Sequence, residues 1–360
     1  MPDLAVALRG SMSTRRHTKD ELTAFVKERA KYKTTAEMAK ATGELASTLR
    51  ARMGRARETI ELPEFPPSDI PFTDRRELQG RSFEARRASY DAHTWFEVRH
   101  LDLLPVGYAW VGDPHGDDNG HNVAQYDKDM RLLAKAEGVY ATNMGDLTNN
   151  WPAGGRLADK WKDQSSSRSD AIDFIRYTAN QVDWFLMLMG NHEGFSRDTE
   201  DLIREILKDK DTIVHKWDAR FVVNFPNGKR CWIRAAHDYK GKSWFHELHG
   251  NIRAFMDCPA HIIVAADHHD AAYYTHEVPQ ISHLMNPGLP FIAHLVRVRG
   301  YKHMDDYALI KGFDDYQEGA TAIAIIDPTA TRGGRFVEVD MDLERGIEKL
   351  ARMRKRAARN

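Results

Sequence analysis

Cysteine, long apolar runs and an excess of charge of one sign are all scarce in this chain. Only two cysteines occur among 360 residues, Cys231 and Cys258, which excludes a disulfide framework and a thiolate zinc site. No apolar run approaches the roughly 20 residues of a membrane-spanning helix, and the opening segment lacks the order of a secretory signal. We therefore expect a cytoplasmic protein without a membrane partner, in which oxygen and imidazole groups would hold any metal.

The net charge and the composition further limit the classes of protein to which this chain can belong. A formal charge of -1 gives no overall attraction to nucleic acid, so only local basic patches can bind phosphate backbones. The shares of hydrophobic residues (42%) and charged residues (29%) are typical of a globular protein. The 17 histidines are many for this length, and most lie between His93 and His303. We therefore expect the chemistry of the protein in that region.

The chain divides into four predicted segments. Residues 1–60 are predicted to be helical, and residues 61–94 to be a linker with a connecting helix, because four prolines between residues 63 and 71 forbid a continuing helix. From residue 95 onward, short apolar runs end in Gly, Asp, Asn or His, so residues 95–345 are assigned to one large domain. Residues 346–360 are predicted to be a basic, frayed tail.

Residues 35–50 resemble a helix-turn-helix motif. Ala39 is small where the two helices must approach closely, Gly43 lies in the turn, and Leu49 is apolar where the second helix packs back. Glu44 departs from the pattern, because that position is usually apolar. The basic residues around the motif are Lys27, Arg29, Lys31, Lys33, Arg50, Arg52, Arg55 and Arg57. They suggest a DNA-facing surface, although a small helical bundle with a solvated basic face would share the pattern.

Five apolar stretches are each followed by side chains of the types that bind metal ions. The residues that follow them are Asp113 and His115, Asp146 and Asn149, Asn191 and His192, His237, and the group Asp267, His268, His269 and Asp270. A single Asp or His after a strand is more often a turn former. Repeated five times, the pattern predicts carboxylate, amide and imidazole groups at the ends of neighbouring strands.

The order of these motifs resembles the calcineurin-like metallophosphoesterase superfamily. The motifs that carry the resemblance are Gly-Asp-Pro-His at residues 112–115, Gly-Asp-Leu-Thr-Asn at residues 145–149 and Gly-Asn-His-Glu at residues 190–193. The stretches at residues 237–243 and 311–316 further resemble a phage or prophage branch that carries an N-terminal helix-turn-helix. The resemblance implies an α/β fold, in which two mixed sheets lie face to face with helices outside, after a small helical domain.

The resemblance also implies ligands for two divalent metal ions. Asp113, His115 and Asp146 would hold one ion. Asp146 would bridge to a second ion, whose other ligands would include Asn191 and His237. Two such ions lower the pKa of a shared water and clamp both oxygens of an in-line displacement at phosphorus.

His192 is the predicted catalytic residue. It lies next to a predicted ligand and would protonate the leaving oxygen or stabilise charge on the phosphoryl oxygens. Asn149 and His268 are further candidates for contact with the substrate or for metal ligation. Asp117 and Asp118, which follow the first motif, are expected to cap the next helix.

The last motif departs from the Gly-His-x-His pattern of the superfamily. This chain has Ala266 in place of the glycine, and two registers are open. One register makes Asp267 and His269 the ligands, and the other uses His268 and Asp270; we favour the first because Ala266 is the smallest substitute for glycine. An Asp in place of a His adds a hard oxygen, which favours Mn²⁺ or Mg²⁺ over Fe or Zn²⁺.

Three functions agree with these patterns. The first is metal-dependent hydrolysis of a phosphodiester, with a nucleic acid or a nucleotide as substrate because of the helix-turn-helix resemblance. The second is a phosphomonoesterase, including a protein phosphatase, since the same ligands serve both classes of ester. The third is a DNA-binding regulator whose phosphoesterase fold has lost activity through Asp267.

Overall fold

The computed structural model contains two compact units, residues 1–92 and residues 93–360, which are described separately. The structure describes residues 18–29, 31–32, 34–44, 46, 48–50, 52, 72–91, 95–151, 160, 162, 164–241, 243, 246–278, 291–303, 321–331 and 336–359. The predicted proline-rich linker lies outside them. Among the described residues, no helix combines the length and the apolar character needed to cross a membrane.

The first unit contains a small helical cluster. Helix α1 (Lys19–Arg29) and helix α2 (Thr35–Thr42) bury Phe25 and Met38 against Leu49, which lies in a further helical stretch at residues 48–50. The helix-turn-helix arrangement stays a prediction, because part of its second helix lies outside the described residues.

The turn of this cluster has the local structure that its residues favour. Gly43 ends α2 in the left-handed conformation (φ 73°), and its N–H donates to the carbonyl of Ala39. The guanidinium of Arg52 pairs with the carboxylate of Glu44 at 2.7 Å and lies 5.0 Å from the ring centroid of Phe25. Arg52 therefore packs within the unit, and its place on a DNA-facing surface stays a prediction.

A third helix, α3 (Phe72–Asp91), covers most of the segment predicted to be a connecting helix. Residues 72–84 are exposed throughout. They include the large apolar side chains Phe72, Leu78 and Phe83. Acidic and basic residues are interspersed along this helix, and Arg81 pairs with Glu77 one turn earlier, which is typical of a solvent-exposed helix.

The second unit is an α/β structure. Its strands are β1 (Phe96–Arg99), β2 (Val106–Val111), β3 (Val139–Asn143), β4 (Trp184–Met189), β5 (Ile213–Lys216), β6 (Asp218–Asn224), β7 (Arg230–Ala236), β8 (Ile262–Ala265), β9 (Ala272–Val278), β10 (Phe291–Arg297), β11 (Thr321–Ile326) and β12 (Val337–Asp340). Within the described residues they form two mixed six-stranded sheets, ordered β12-β11-β2-β3-β4-β5 and β1-β6-β7-β8-β10-β9. The predicted fold class, α/β with two mixed sheets flanked by helices, is confirmed.

The two sheets share one hydrophobic core. Tyr108 and Trp110 of β2 face this core together with Phe221 of β6 and Val264 of β8. The alternate residues of β2, such as Ala109, face the opposite side of their sheet. Because both faces are covered, β2 is buried at every position and shows no polar alternation.

Helices cover the outer faces of both sheets. They are α4 (Val123–Lys135), α5 (Arg168–Gln181), α6 (Arg197–Leu207) and α8 (Leu343–Ala357) on the first sheet, and α7 (His249–Asp257) on the second. Ser167 begins α5 with a capping box, in which its hydroxyl accepts from the Asp170 N–H and the Asp170 carboxylate accepts from the Ser167 N–H. The helices leave the carboxyl ends of the strands free for the loops.

The predicted frayed tail at residues 346–360 is wrong, because residues 343–357 form α8. Asp342 caps this helix by accepting from the N–H of Arg345. Leu350 is fully buried against β2, where the missing side chain of Gly107 leaves room for it. The guanidinium of Arg354 donates to the carbonyl of Pro105 at 2.9 Å. The apolar residues of this segment lie on one side of the helix and are surrounded by basic residues. The basic residues made the helical spacing of the apolar residues hard to recognise in the sequence.

The substitution Leu350→Ala is expected to lower the free energy of unfolding by about 2–5 kcal/mol. It removes a fully buried side chain and leaves a cavity between α8 and the sheet. Denaturant unfolding followed by circular dichroism measures the change. Lys355→Ala, at an exposed position of the same helix, is the control and should change stability by no more than about 0.5 kcal/mol. Equal stability of the Leu350 variant and the native chain would contradict the packing of α8.

Candidate metal centre

The predicted site residues meet where the carboxyl ends of several strands come together. Strands β2, β3 and β4 are parallel neighbours, so the loops that follow them leave one edge of the first sheet. Strands β7 and β8 are parallel neighbours in the second sheet. The five loops bring together Asp113, His115, Asp146, Asn149, Asn191, His192, His237, Asp267 and His269.

Asp146 lies at the centre of this group. Its Oδ2 atom is 3.3 Å from Nε2 of His237, 3.7 Å from Nε2 of His192 and 3.8 Å from Nε2 of His115. The side chain is almost completely buried. One carboxylate oxygen therefore faces imidazoles from three different loops, which is the position expected of a bridging ligand.

The amide of Asn191 joins a second set of converging polar atoms. Its Oδ1 atom lies 2.8 Å from Nε2 of His237, and the same amide position is 3.1 Å from Asp146 Oδ2 and 3.3 Å from Asp267 Oδ1. The Nδ1 atom of His237 donates to the carbonyl of Met144 at 2.8 Å, so in the neutral form of this imidazole Nε2 is left as an acceptor. With its NH₂ group turned inward, Asn191 would donate to the three surrounding acceptors. With its oxygen turned inward instead, four acceptors would face one another, and a cation would satisfy such a set.

Asp113 forms the other side of the site. It is fully buried, and its Oδ2 atom accepts from the N–H of Asp267 at 2.8 Å and lies 3.6 Å from Nε2 of His269. Its Oδ1 atom is 3.6 Å from Nδ1 of His237 and has no hydrogen-bond partner. A buried carboxylate oxygen without a donor is costly in a protein interior, and a bound cation removes that cost.

Asn149 fixes the orientation of the His115 ring. Its Nδ1 atom is 3.0 Å from Oδ1 of Asn149, which can only accept, so Nε2 is the acceptor that faces the site. The Asn149 amide donates to Asp118 at 2.7 Å, and Lys302 lies 3.0 Å from the same carboxylate. The side chain of Asn149 therefore bonds to His115 and Asp118, and its role as a contact for substrate or metal stays a prediction.

The prediction that Asp117 and Asp118 cap the next helix is also wrong. Asn122 caps α4, because its side chain accepts from the N–H of Gln125. Asp117 is buried and accepts from the backbone N–H of Asn149 at 2.6 Å. Both aspartates therefore hold the loop after β3 in place. Such outer contacts fix the orientation of the groups that face a metal.

His192 is held with one ring nitrogen facing the site. Its Nδ1 atom is 2.5 Å from the carbonyl of Asn149 and donates to it, and its backbone N–H donates to Asp146 Oδ1 at 3.0 Å. The Nε2 atom thus points toward the space beside Asp146. Trp151 and Phe195 pack against the ring, with centroids 5.1 Å and 4.9 Å away.

Glu193 is the functional residue that sequence reasoning missed. It is buried, and its Oε2 atom accepts from the N–H groups of Asp146 and Gly190 at 2.9 Å and 2.7 Å. Its Oε1 atom accepts from the N–H of Leu147 at 2.8 Å. One carboxylate therefore ties the loop after β3 to the loop after β4. Its place directly after His192 in the Gly-Asn-His-Glu motif was the available signal.

The substitution Glu193→Gln is expected to weaken Mn²⁺ binding about 10–100-fold. A glutamine has the same shape, but its NH₂ group cannot accept from the backbone N–H groups that Glu193 holds, so Asp146 shifts. Isothermal titration calorimetry on the metal-free chain measures the affinity. Glu205→Gln, on an exposed part of α6, serves as the control. Equal affinities of the native chain and the Glu193 variant would contradict this role.

Two glycines allow the loops to approach closely. A Cβ atom on Gly190 would lie 2.2 Å from Asp146 Oδ1 and 2.7 Å from the ring of His237. Gly145 has a φ of 110°, and a Cβ atom there would lie 2.7 Å from the nitrogen of Gly190. A side chain at either position would push the loops apart, so both motifs need glycine directly before the polar residue.

Four of the predicted ligands have an unusual backbone conformation. His115, Asp146, Asp267 and His269 all have positive φ values, between 44° and 65°. Non-glycine residues seldom adopt this conformation, which costs of the order of 1–3 kcal/mol each when held there. Such positions cluster at functional sites, so this concentration agrees with a site that must aim particular side chains.

Burial and charge shift the titration of the site residues. Burial raises the pKa of Asp113 well above its ordinary value. Burial also acts to raise the pKa of Asp146, but His237 and His192 outweigh it and lower that pKa. Burial lowers the pKa of His115 well below its ordinary value and that of His269 to about 4. His115 and His269 are therefore neutral at pH 7, which is the form that binds metals.

The two registers of the last motif place different side chains near the centre. Asp267 Oδ1 is 3.5 Å from Nε2 of His237, and His269 faces Asp113. In contrast, Asp270 pairs with Arg297 at 3.3 Å, away from the other site residues. His268 lies beside Asp267 and Asp238. The geometry thus favours Asp267 and His269 as the pair that faces the centre.

Three groups of side chains in the described residues can hold a metal ion. They are His115, Asp146 and His192; Asp146, His237 and Asp267; and Asp238, Asp267 and His268, with the ligand atoms of each group within 4.8 Å of one another. The first group differs from the predicted first ligand set, because it contains His192 where Asp113 was expected. The buried carboxylates and neutral imidazoles fit a divalent cation.

Comparison with known proteins does not assign the chain to a family. No protein-family model matches the chain. No curated protein is significantly similar to it in sequence.

Proposed function

We propose that the protein is a metal-dependent phosphoesterase with a binuclear centre, of the calcineurin-like metallophosphoesterase superfamily. The convergence of buried acceptors around Asp146 carries the proposal. Its Oδ2 atom faces three imidazole nitrogens and the Asn191 amide within 3.8 Å. The order of the motifs and the two mixed sheets support the same conclusion.

Asp146 would bridge two divalent ions, most favourably Mn²⁺, with Mg²⁺, Fe and Zn²⁺ as alternatives. The residues that would complete the two ligand sets are Asp113, His115 and His269 for one ion and Asn191, His237 and Asp267 for the other. A bound pair of ions would activate water and stabilise negative charge on the phosphoryl group. The carboxylate of Asp267 favours hard cations at the second position.

The chain's own residues would position the ester and move the proton. The Nδ1–H of His192 is held by the carbonyl of Asn149, so the protonated ring would give its Nε2 proton to the departing oxygen and become neutral. Trp151 and Phe195 restrict the ring of His192 on its outer side. Cations held by the buried carboxylates would attract the phosphate ester, and the burial of Asp146 keeps bulk water away from it.

The proposed substrate is a phosphodiester of a nucleic acid or nucleotide. This step is supported by the helical unit that precedes the α/β unit, where the turn at Gly43 and the packing of Leu49 agree with the predicted helix-turn-helix. Basic residues that flank this turn would bind a phosphate backbone without reading its sequence.

Hydrolysis assays test the proposal. The full chain is freed of metal, supplied with Mn²⁺ and given bis-p-nitrophenyl phosphate and p-nitrophenyl phosphate in parallel. We expect hydrolysis only with added metal, and a higher kcat/KM for the diester. Faster hydrolysis of the monoester would instead identify a phosphomonoester as the substrate. A chain that binds no Mn²⁺ and cleaves neither ester would refute the proposed function.

A further inference from the structure

A second group of acceptors lies directly beside the proposed binuclear centre. We propose that Asp238, Asp267 and His268 form a third divalent-cation site, which shares Asp267 with the binuclear centre. The inference rests on the proposed function for the role of Asp267, since this residue would serve both sites. Asp238 directly follows His237 in the chain, and His268 lies between the two favoured ligands of the last motif.

The two carboxylate oxygens of Asp267 face different neighbours. Oδ1 is 3.5 Å from Nε2 of His237, in the binuclear centre, and Oδ2 is 3.5 Å from Nε2 of His268. The same nitrogen of His268 is 3.6 Å from Oδ1 of Asp238. Ligand atoms of one metal ion are separated by about 3–4 Å when each lies roughly 2.1 Å from the ion, so these separations fit a common cation.

His268 gives a separate reason to place a cation there. Its Nε2 atom is buried and has no hydrogen-bond partner, although two carboxylates face it. One carboxylate oxygen of Asp238 has a hydrogen-bond donor, because the backbone N–H of Tyr239 donates to Oδ1 at 2.8 Å. A positive charge between the carboxylates would satisfy the remaining acceptors. Two carboxylates and one imidazole are ligands that suit Mn²⁺.

The third site differs from the binuclear centre in its access to solvent. The side chains of Asp238, Asp267 and His268 are 30%, 19% and 18% exposed, whereas Asp113 and Asp146 are almost completely buried. Three protein ligands leave positions for water or for an oxygen of the substrate. A phosphate group next to the reacting one, as in a nucleic-acid strand, would supply that oxygen.

Fewer ligands and greater exposure predict weaker binding than at the binuclear centre, by about tenfold or more. The metal-free full chain is titrated with MnCl₂, and the free ion is counted by electron paramagnetic resonance while calorimetry records the binding phases. We expect about three Mn²⁺ per chain, with the last in a weaker phase. Asp238→Asn and His268→Gln should each lower the number to about two and remove the weaker phase. Asp257→Asn, at an exposed position at the end of α7, is the control and should keep about three.

The alternative is a protonated His268 held between the two carboxylates. In that case the native chain would bind only two Mn²⁺ and still hydrolyse the ester, which would overturn the third site but leave the proposed function intact. Retention of the weaker phase in both variants would also overturn it. A native chain that binds no Mn²⁺ and cleaves no ester would refute the third site and the binuclear centre together. Thermal unfolding of each variant verifies that it is folded before the titration.

Discussion

The variant Asp146→Asn is expected to lose roughly a thousandfold or more in kcat/KM for phosphodiester hydrolysis. The Oδ2 atom of Asp146 faces His115, His192 and His237 at once, so its charge would link the two proposed ions. Metal ions stabilise the transition state by several kcal/mol, and each 1.36 kcal/mol corresponds to a tenfold change in rate. Removal of the bridging charge should also lower the bound Mn²⁺ to one ion or none.

Loss of folding is not expected to explain this result. Asp146 has a φ of 50°, and asparagine is among the residues that tolerate this left-handed conformation best. The backbone N–H bonds from Asp146 and Leu147 to Glu193 do not involve the substituted side chain. Asp183→Asn, at an exposed position before β4, is the matched control. A variant with near-native activity and two bound Mn²⁺ would show that Asp146 is no bridge.

The variant His192→Ala should lower kcat about 10²–10⁴-fold for esters with poor leaving groups, while the bound metal stays near the native amount. The expected loss is that of a general acid. The backbone N–H of His192 still donates to Asp146 after the substitution, so the position of that carboxylate is retained. His276→Ala, an exposed histidine on β9, is the control.

Dependence on the leaving group separates a catalytic role of His192 from a structural one. A p-nitrophenolate group leaves without a proton, whereas an alkoxide such as a ribose hydroxyl needs one. The loss in the His192 variant should therefore be small for p-nitrophenyl esters and large for a dinucleotide. Equal losses for both substrates, or a loss of metal together with activity, would assign His192 to the support of the site instead.

The sequence predicted strands that end in polar side chains because these depend on local patterns, whereas the two mixed sheets were implied by the resemblance to the superfamily. An apolar run such as β2, followed by glycine and then Asp113, encodes a buried strand and the polar side chain at its end. The close contact of Gly190 with Asp146 explains why glycine recurs in these motifs. Patterns of this kind repeat along the chain, so they can be recognised from the sequence alone.

The supporting contacts could not be predicted, because they join loops that are distant in sequence. Lys302 reaches Asp118, and Asp118 holds the amide of Asn149, but no spacing in the chain indicates this arrangement. Asp267 and His269 have positive φ without a glycine to signal it. Helix α8 was missed because many basic residues lie among the apolar residues that face the sheet.

Diffraction from crystals grown with Mn²⁺ tests the central claim most directly, because manganese scatters anomalously and can be located without assumptions about activity. We predict two anomalous peaks about 3.5–4 Å apart on either side of the Asp146 carboxylate. One of them should contact Asp113 and the other His237. The absence of any peak at Asp146, from crystals in which the five loops are ordered, would contradict the binuclear centre.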